Sequence, residues 1–130
     1  MNFDLIIVDD DPEYIFFHKL LAKKSGISET PLTFAGGQEI INYLSELKDK
    51  EISNLLIFLD IYMTDIDGWG VLDYLQTLNR PEKIKVILIT SSVSMDDKKK
   101  AIKYPSVIEY IEKPLMMNYL INLKDQPIFI

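Results

Sequence analysis

Three consecutive aspartates, Asp9, Asp10 and Asp11, follow one apolar run, and Asp60 closes another much further along the chain. Carboxylates brought together repel one another and do not all stay ionised unless a cation joins them. A hard divalent ion suits that role. Mg²⁺ prefers oxygen ligands, keeps several waters, and takes one or two carboxylates together with a phosphoryl oxygen, which fits Asp10 and Asp60 with Asp9 acting through water. No further acid stands at the ends of these two runs, which argues against a caged Ca²⁺ site. Asp60 is the candidate nucleophile, because a carboxylate can take a phosphoryl group as an acyl phosphate. The incoming group carries about two negative charges and needs a second cation beside it, which Lys113 can supply. The Thr90 hydroxyl and backbone N–H groups near Ser91 can donate to its oxygens.

These residues are scattered in sequence, so the elements must bring them together. Phe3 to Val8 reads as a buried strand, and Pro12 suits the first turn of a helix that Ser25-Gly26 stops. Thr30 to Phe34 is a weaker strand, and Ile40, Ile41, Leu44 and Leu47 after Gly36-Gly37 form a helical stripe. Leu55 to Leu59 is apolar without alternation, as in a central strand covered on both faces. A third helix follows Gly68 on Val71, Leu72, Leu75 and Leu78. Val86 to Ile89 is a fourth strand ending at Thr90, and Ser94 caps a helix whose first turn holds Asp96 and Asp97. Val107 to Ile111 is a fifth strand, and Leu115 to about Lys124 a last helix before a tail, residues 125–130. Strict alternation of strand and helix implies an α/β fold, a parallel sheet with helices on both faces. Ligands of such sheets collect beyond the carboxyl ends of the strands. Asp9, Asp10, Asp60, Thr90 and Lys113 all stand at such ends.

Composition narrows the partners. With 130 residues, 48% of them hydrophobic, the chain fits a single domain. Fourteen basic residues against twenty acidic ones give a charge of -6, which argues against nucleic acid or an anionic membrane as partner. There is no cysteine, hence no disulfide or thiolate site. No apolar run has the length of a membrane span and no secretory signal opens the chain, so a cytoplasmic protein is expected.

The sequence resembles the receiver domains of two-component response regulators, from Phe3 to about Lys124. The carriers are I-I-V-D-D-D (Ile6 to Asp11), L-D-I-Y-M-T-D-I-D-G (Leu59 to Gly68), I-L-I-T-S-S (Ile87 to Ser92) and Y-I-E-K-P (Tyr110 to Pro114). The resemblance implies a flavodoxin-like, doubly wound five-stranded sheet in the order 2-1-3-4-5, filling residues 1–130 as one receiver domain without an output domain. It implies a bacterial phosphorelay protein in which Asp60 takes a phosphoryl group from a phosphohistidine of a histidine kinase or phosphotransfer protein. Mg²⁺ or Mn²⁺ would be held by Asp10, Asp60 and the Tyr62 backbone carbonyl, with Asp9 through water. Thr90 and Tyr110 match the switch pair, Lys113 matches the family lysine, and the Lys113-Pro114 bond is expected to be cis. The surface of the fourth helix, fifth strand and fifth helix would then change its affinity for a downstream protein, in a monomer or a weak phosphorylation-dependent dimer.

Some residues depart from the family pattern or invite other readings. Thr64 replaces a usual proline, expected to loosen the loop after Asp60, and Ser91 replaces a frequent alanine. Tyr62 and Ser92 occupy variable positions beside the site, where a bulky Tyr62 is expected to slow hydrolysis. Asp11 reads as a helix N-terminal acid, Asp65 and Asp67 as loop solvation and turn chemistry, and His18 as a surface or boundary residue. Lys98, Lys99 and Lys100 read as a solvated face. Tyr14, Ile15, Phe16 and Phe17 exceed what one buried stripe absorbs. Ile128, Phe129 and Ile130 either fold back or mark a dimer contact. Two rival functions remain. A Mg²⁺-dependent aspartyl-phosphate phosphatase or phosphotransferase would carry a second acid two residues after Asp60, where Tyr62 stands, and an FMN carrier would not place acids after its first strand.

Overall fold

In the computed structural model, residues 2–48 and 51–129 are described. Five parallel strands, β1 (Asp4–Val8), β2 (Leu32–Phe34), β3 (Leu55–Leu59), β4 (Ile84–Thr90) and β5 (Val107–Glu112), form one sheet in the order β2-β1-β3-β4-β5. Helices α1 (Pro12–Ser25), α2 (Gly37–Glu46), α3 (Gly68–Leu78), α4 (Met95–Ile102) and α5 (Met117–Lys124) alternate with them. This is the flavodoxin-like arrangement expected from the sequence.

The unbroken apolar runs are explained by two cores, one on each face of the sheet. Successive side chains of a strand point to opposite faces. Ile6 and Val8 of β1, Ile57 and Leu59 of β3, and Val86 and Leu88 of β4 pack against α2 and α3, with Ala101 of α4 joining them. Leu5 and Ile7, Leu56 and Phe58, and Ile87 and Ile89 face the other way, onto Leu21 and Ala22 of α1 and Leu120 and Leu123 of α5. A strand covered on both sides leaves no polar alternation to read.

Local chemistry sets the helix ends. Asp11 caps α1, its carboxylate accepting from the Glu13 N–H at 2.9 Å, and Pro12 follows where its missing N–H costs nothing. Gly26 ends that helix at φ 81°, a left-handed conformation that glycine adopts freely. Asp67 caps α3 by accepting from the Gly70 N–H at 2.9 Å, and Ser94 caps α4 by accepting from the Asp97 N–H at 3.3 Å.

The structure corrects several local expectations. β2 begins at Leu32, where pairing with Ile6 starts; Thr30 and Pro31 precede the ladder, and proline has no N–H to contribute. β4 begins two residues earlier than its apolar run suggested, because Ile84 and Lys85 pair with Leu55 and Leu56 of β3. Lys85 hid that start, its ammonium turning back to the Pro81 carbonyl at 2.9 Å. α5 starts at Met117, with buried Leu115 in the preceding loop. His18 is not at the surface: it is 2% exposed, on the side of α1 that faces the sheet. Asp65 does more than solvate a loop, since its two oxygens accept from the Gly37 and Gln38 N–H groups at 3.1 and 3.0 Å and close the start of α2. The excess apolar surface of α1 emerges at Phe16 and Phe17, both exposed. Ile128 and Phe129 fold back against the α1/α5 core, the Phe129 ring 5.6 Å from that of Phe3; Ile130 lies outside the described residues.

Candidate functional site

Strand register builds the site. Val8 pairs with Leu59, so the next residues, Asp9 and Asp60, emerge side by side at the point where strand order reverses, and the Asp60 N–H donates to the Val8 carbonyl at 3.0 Å. Leu59 pairs in turn with Leu88, which leaves Thr90 one step beyond Asp60 on the neighbouring strand. Thr90 pairs with Glu112, and the Lys113 N–H reaches the Thr90 carbonyl at 2.8 Å, delivering the lysine to the same end of the sheet.

Asp9, Asp10 and Asp60 each place a carboxylate oxygen so that all three lie within 4.8 Å of one another. An all-oxygen set of that size and charge fits Mg²⁺ or Mn²⁺. The Lys113 ammonium lies 2.9 Å from Asp9 Oδ2 and 3.5 Å from Asp60 Oδ2, and the side chains of all three are almost wholly buried. Burial and the neighbouring Asp9 charge push the Asp60 carboxyl up to about 6, with Lys113 pulling the other way. Burial opposes the charged form of Lys113, but its bond to Asp9 and the Asp60 charge outweigh that and raise it above the usual lysine value. The lysine is therefore held as a cation between two acids. The ring of Tyr14 lies beneath it, its centroid 3.8 Å from the ammonium, a cation–π contact that the apolar spacing of α1 did not reveal.

The loop after Asp60 is fixed from two sides. The Thr64 N–H donates to Asp10 Oδ2 at 3.0 Å, a bond that proline could not make, so this departure ties the loop that it was expected to loosen. Gly68 donates to the Ile61 carbonyl at 2.6 Å, and a Cβ there would lie 2.6 Å from the Asp60 carbonyl oxygen and 2.7 Å from the Ile61 Cα. Only glycine allows α3 to start so close to the backbone of Asp60. The Lys113-Pro114 bond is cis.

Thr90 is fully buried, its Oγ1 accepting from the Ser92 N–H at 3.3 Å. The half-buried Tyr110 donates its hydroxyl to the Ser92 carbonyl at 3.3 Å. Tyr62 is exposed, and its hydroxyl donates to Asp97 of α4, as does the Ser92 hydroxyl at 2.6 Å. The Ser92 and Tyr62 hydroxyls hold the Asp97 carboxyl below the usual range, and the bond to Asp97 holds the Tyr62 phenol above its own. Sequence reasoning placed Asp97 only as an acid in a helical first turn; its second part in the site has no periodic signal.

Comparison with known proteins gives the same picture. A crystal structure of a two component response regulator from Cytophaga hutchinsonii superposes with a TM-score of 0.84 at 28% identity, covering 95% of each chain. A response regulator receiver protein from Dyadobacter fermentans superposes with a TM-score of 0.81 at 29% identity, covering 93% of this chain and 94% of its own. An uncharacterised 14.6 kDa protein of Leptolyngbya boryana is 25% identical over 123 residues, which is 95% of this chain and 88% of that protein. Residues 5–124 match the response regulator receiver domain family, and with the sheet order and the acidic strand ends already in place the chain belongs to that family of phosphoacceptor signalling modules.

Proposed function

We propose that Asp60 is the phosphoacceptor of a signalling switch charged by a partner phosphohistidine. The observation that carries this reading is the buried Lys113 ammonium bonded to both Asp9 and Asp60, beside a third carboxylate at the same strand ends. Asp10, Asp60 and the Tyr62 backbone carbonyl would hold Mg²⁺ or Mn²⁺, with Asp9 acting through water, and the ion would offset the charge of the incoming group.

An oxygen of ionised Asp60 attacks the phosphorus in line with the bond to the partner imidazole nitrogen. A new oxygen–phosphorus bond forms, the nitrogen–phosphorus bond breaks, and its electron pair returns to the imidazole, which takes up a proton from solvent. Lys113 then pairs with a phosphoryl oxygen in place of the carboxylate charge that the acyl phosphate has lost. The Thr90 hydroxyl donates to another oxygen. Movement of Thr90 draws on the segment through Ser92, whose carbonyl holds the Tyr110 hydroxyl, so Tyr110 turns inward. The surface of α4, β5 and α5 carries exposed Met95, Ile102, Ile108, Met116 and Ile121, and its contacts with a downstream protein change with that rotation.

On this reading the protein acts in the cytoplasm through its receiver domain, as a monomer or weak phosphorylation-dependent dimer, and not as an enzyme with a separate substrate. Its net charge of -6 disfavours nucleic acid, and no described helix is long and apolar enough to cross a membrane. Incubation with a small acyl phosphate and Mg²⁺, followed by intact-mass measurement, tests the proposal. The parent gains one phosphoryl group, and chelation or Asp60→Asn prevents it; uptake that survives Asp60→Asn refutes it.

A further inference from the structure

The two residues that flank the opening of the site converge on a third. Tyr62 stands two positions beyond Asp60 on the loop into α3, and Ser92 two positions beyond Thr90 on the loop into α4. Both hydroxyls donate to the same oxygen, Oδ2 of Asp97, in the first turn of α4. Because β3 and β4 are paired neighbours, the bond from Tyr62 to Asp97 crosses the gap between their carboxyl ends. The backbone that carries this carboxylate is itself held: the Asp97 N–H donates to Ser94 Oγ at 3.3 Å, and the Ser94 N–H donates to Ser92 Oγ at 3.2 Å. Tyr62, by contrast, is 56% exposed, so packing does little to fix its ring. The hydroxyl–carboxylate bond is what ties it to the first turn of α4.

From this geometry we propose that Asp97 is a positioning residue, holding Tyr62 as a strap over the opening between Asp60 and Thr90 and so prolonging the life of the aspartyl phosphate. The inference rests on Asp60 being the phosphoacceptor. Loss of the phosphoryl group requires a water oxygen to bond to phosphorus opposite the Asp60 oxygen. The bond between phosphorus and that oxygen breaks, its electron pair restores the carboxylate, and a proton of the water leaves to solvent with inorganic phosphate as the other product. A ring tethered over the opening blocks that approach, and a ring released from Asp97 does not.

The test compares the parent, Asp97→Ala, Tyr62→Phe, the double variant and Asp97→Asn. Each is charged with a small acyl phosphate and Mg²⁺, freed of donor, and followed by intact mass over time. Loss of one exposed hydrogen bond to a charged acceptor should shorten the half-life about fivefold. Both single variants show that shortening, the double variant shows no more, and Asp97→Asn, which keeps an acceptor oxygen, falls between them and the parent. Normal charging with equal half-lives in parent and Asp97→Ala overturns the strap while leaving Asp60 as phosphoacceptor. A shortening by Asp97→Ala that persists undiminished in the Tyr62→Phe background also overturns it, since loss of helix capping alone would act in both backgrounds. A parent that takes up no phosphoryl group overturns the phosphoacceptor reading and the strap together.

Discussion

Replacing Asp60 by asparagine should stabilise the metal-free protein at neutral pH. In the folded chain burial and the Asp9 charge raise the Asp60 carboxyl from 3.8 to about 6, despite Lys113. The folded state therefore binds this proton more tightly than the unfolded state does. The sign follows from linkage: the associated stability is fully present below pH ~4 and is lost as pH rises through about 6. At about 1.4 kcal/mol per pH unit, ionised Asp60 costs about 3 kcal/mol at pH 7.5. For a domain of this size that corresponds to about 10 °C in Tm, an upper bound because the asparagine amide must still be desolvated. Thermal unfolding of parent and Asp60→Asn in chelator, at pH 7.5 and 4.5, is the assay. The variant melts several degrees higher at pH 7.5, and the gap shrinks to about a third of that at pH 4.5, where the folded carboxyl is protonated but the unfolded one is still mostly ionised. A variant no more stable than the parent at pH 7.5, or a gap that does not change with pH, refutes the electrostatic account of the site.

His18 gives the opposite slope. Burial lowers its imidazole from 6.5 to about 4, and its Nε2 has no hydrogen-bond partner, so the parent loses about 3 kcal/mol as pH falls from 6.5 to 4. His18→Leu should remove that acid sensitivity in urea unfolding; an unchanged pH slope contradicts it. Lys113→Met strands two buried carboxylates and should cost about 3–5 kcal/mol in chelator, with a loss below about 1 kcal/mol arguing that the ion pair is not formed. Gly68→Ala puts a methyl against the backbone of Asp60 and Ile61, and should cost about 1–3 kcal/mol and weaken Mg²⁺ binding by isothermal titration. Wild-type stability and Mg²⁺ affinity in that variant would show that α3 need not start so close to Asp60.

The site was legible in the sequence where backbone register does the positioning. Asp9, Asp60, Thr90 and Lys113 each end or follow an apolar run, and parallel pairing of those runs brings their ends together whatever the side chains do. The sheet order was carried by resemblance, because continuous apolar runs such as Leu55 to Leu59 do not say which strand neighbours which. Contacts made by side chains between distant segments left no trace. Tyr62 and Asp97 are 35 residues apart, and neither a hydrophobic period nor a turn signal links them. Tyr14 reads as one more apolar position of α1 until Lys113 is found over its ring. Asp65 lies in a loop rich in acids, and only the approach of α2 to that loop makes it a cap. His18 misled because histidine is polar by type, whereas the turn of α1 that carries it faces the sheet. Lys85 misled for the converse reason, a charged residue within a strand whose ammonium escapes to a carbonyl at the strand end.

The central claim is that Asp60, among the acids crowded at this end of the sheet, carries the phosphoryl group. Hydride reduction of the freshly charged protein converts an acyl-phosphorylated aspartate to homoserine, and peptide mass spectrometry then reads its position. Homoserine at position 60, absent from Asp9 and Asp10 and absent when Mg²⁺ is chelated, is the predicted result. Homoserine at Asp9 or Asp10, or a charged protein that yields none, would contradict the account.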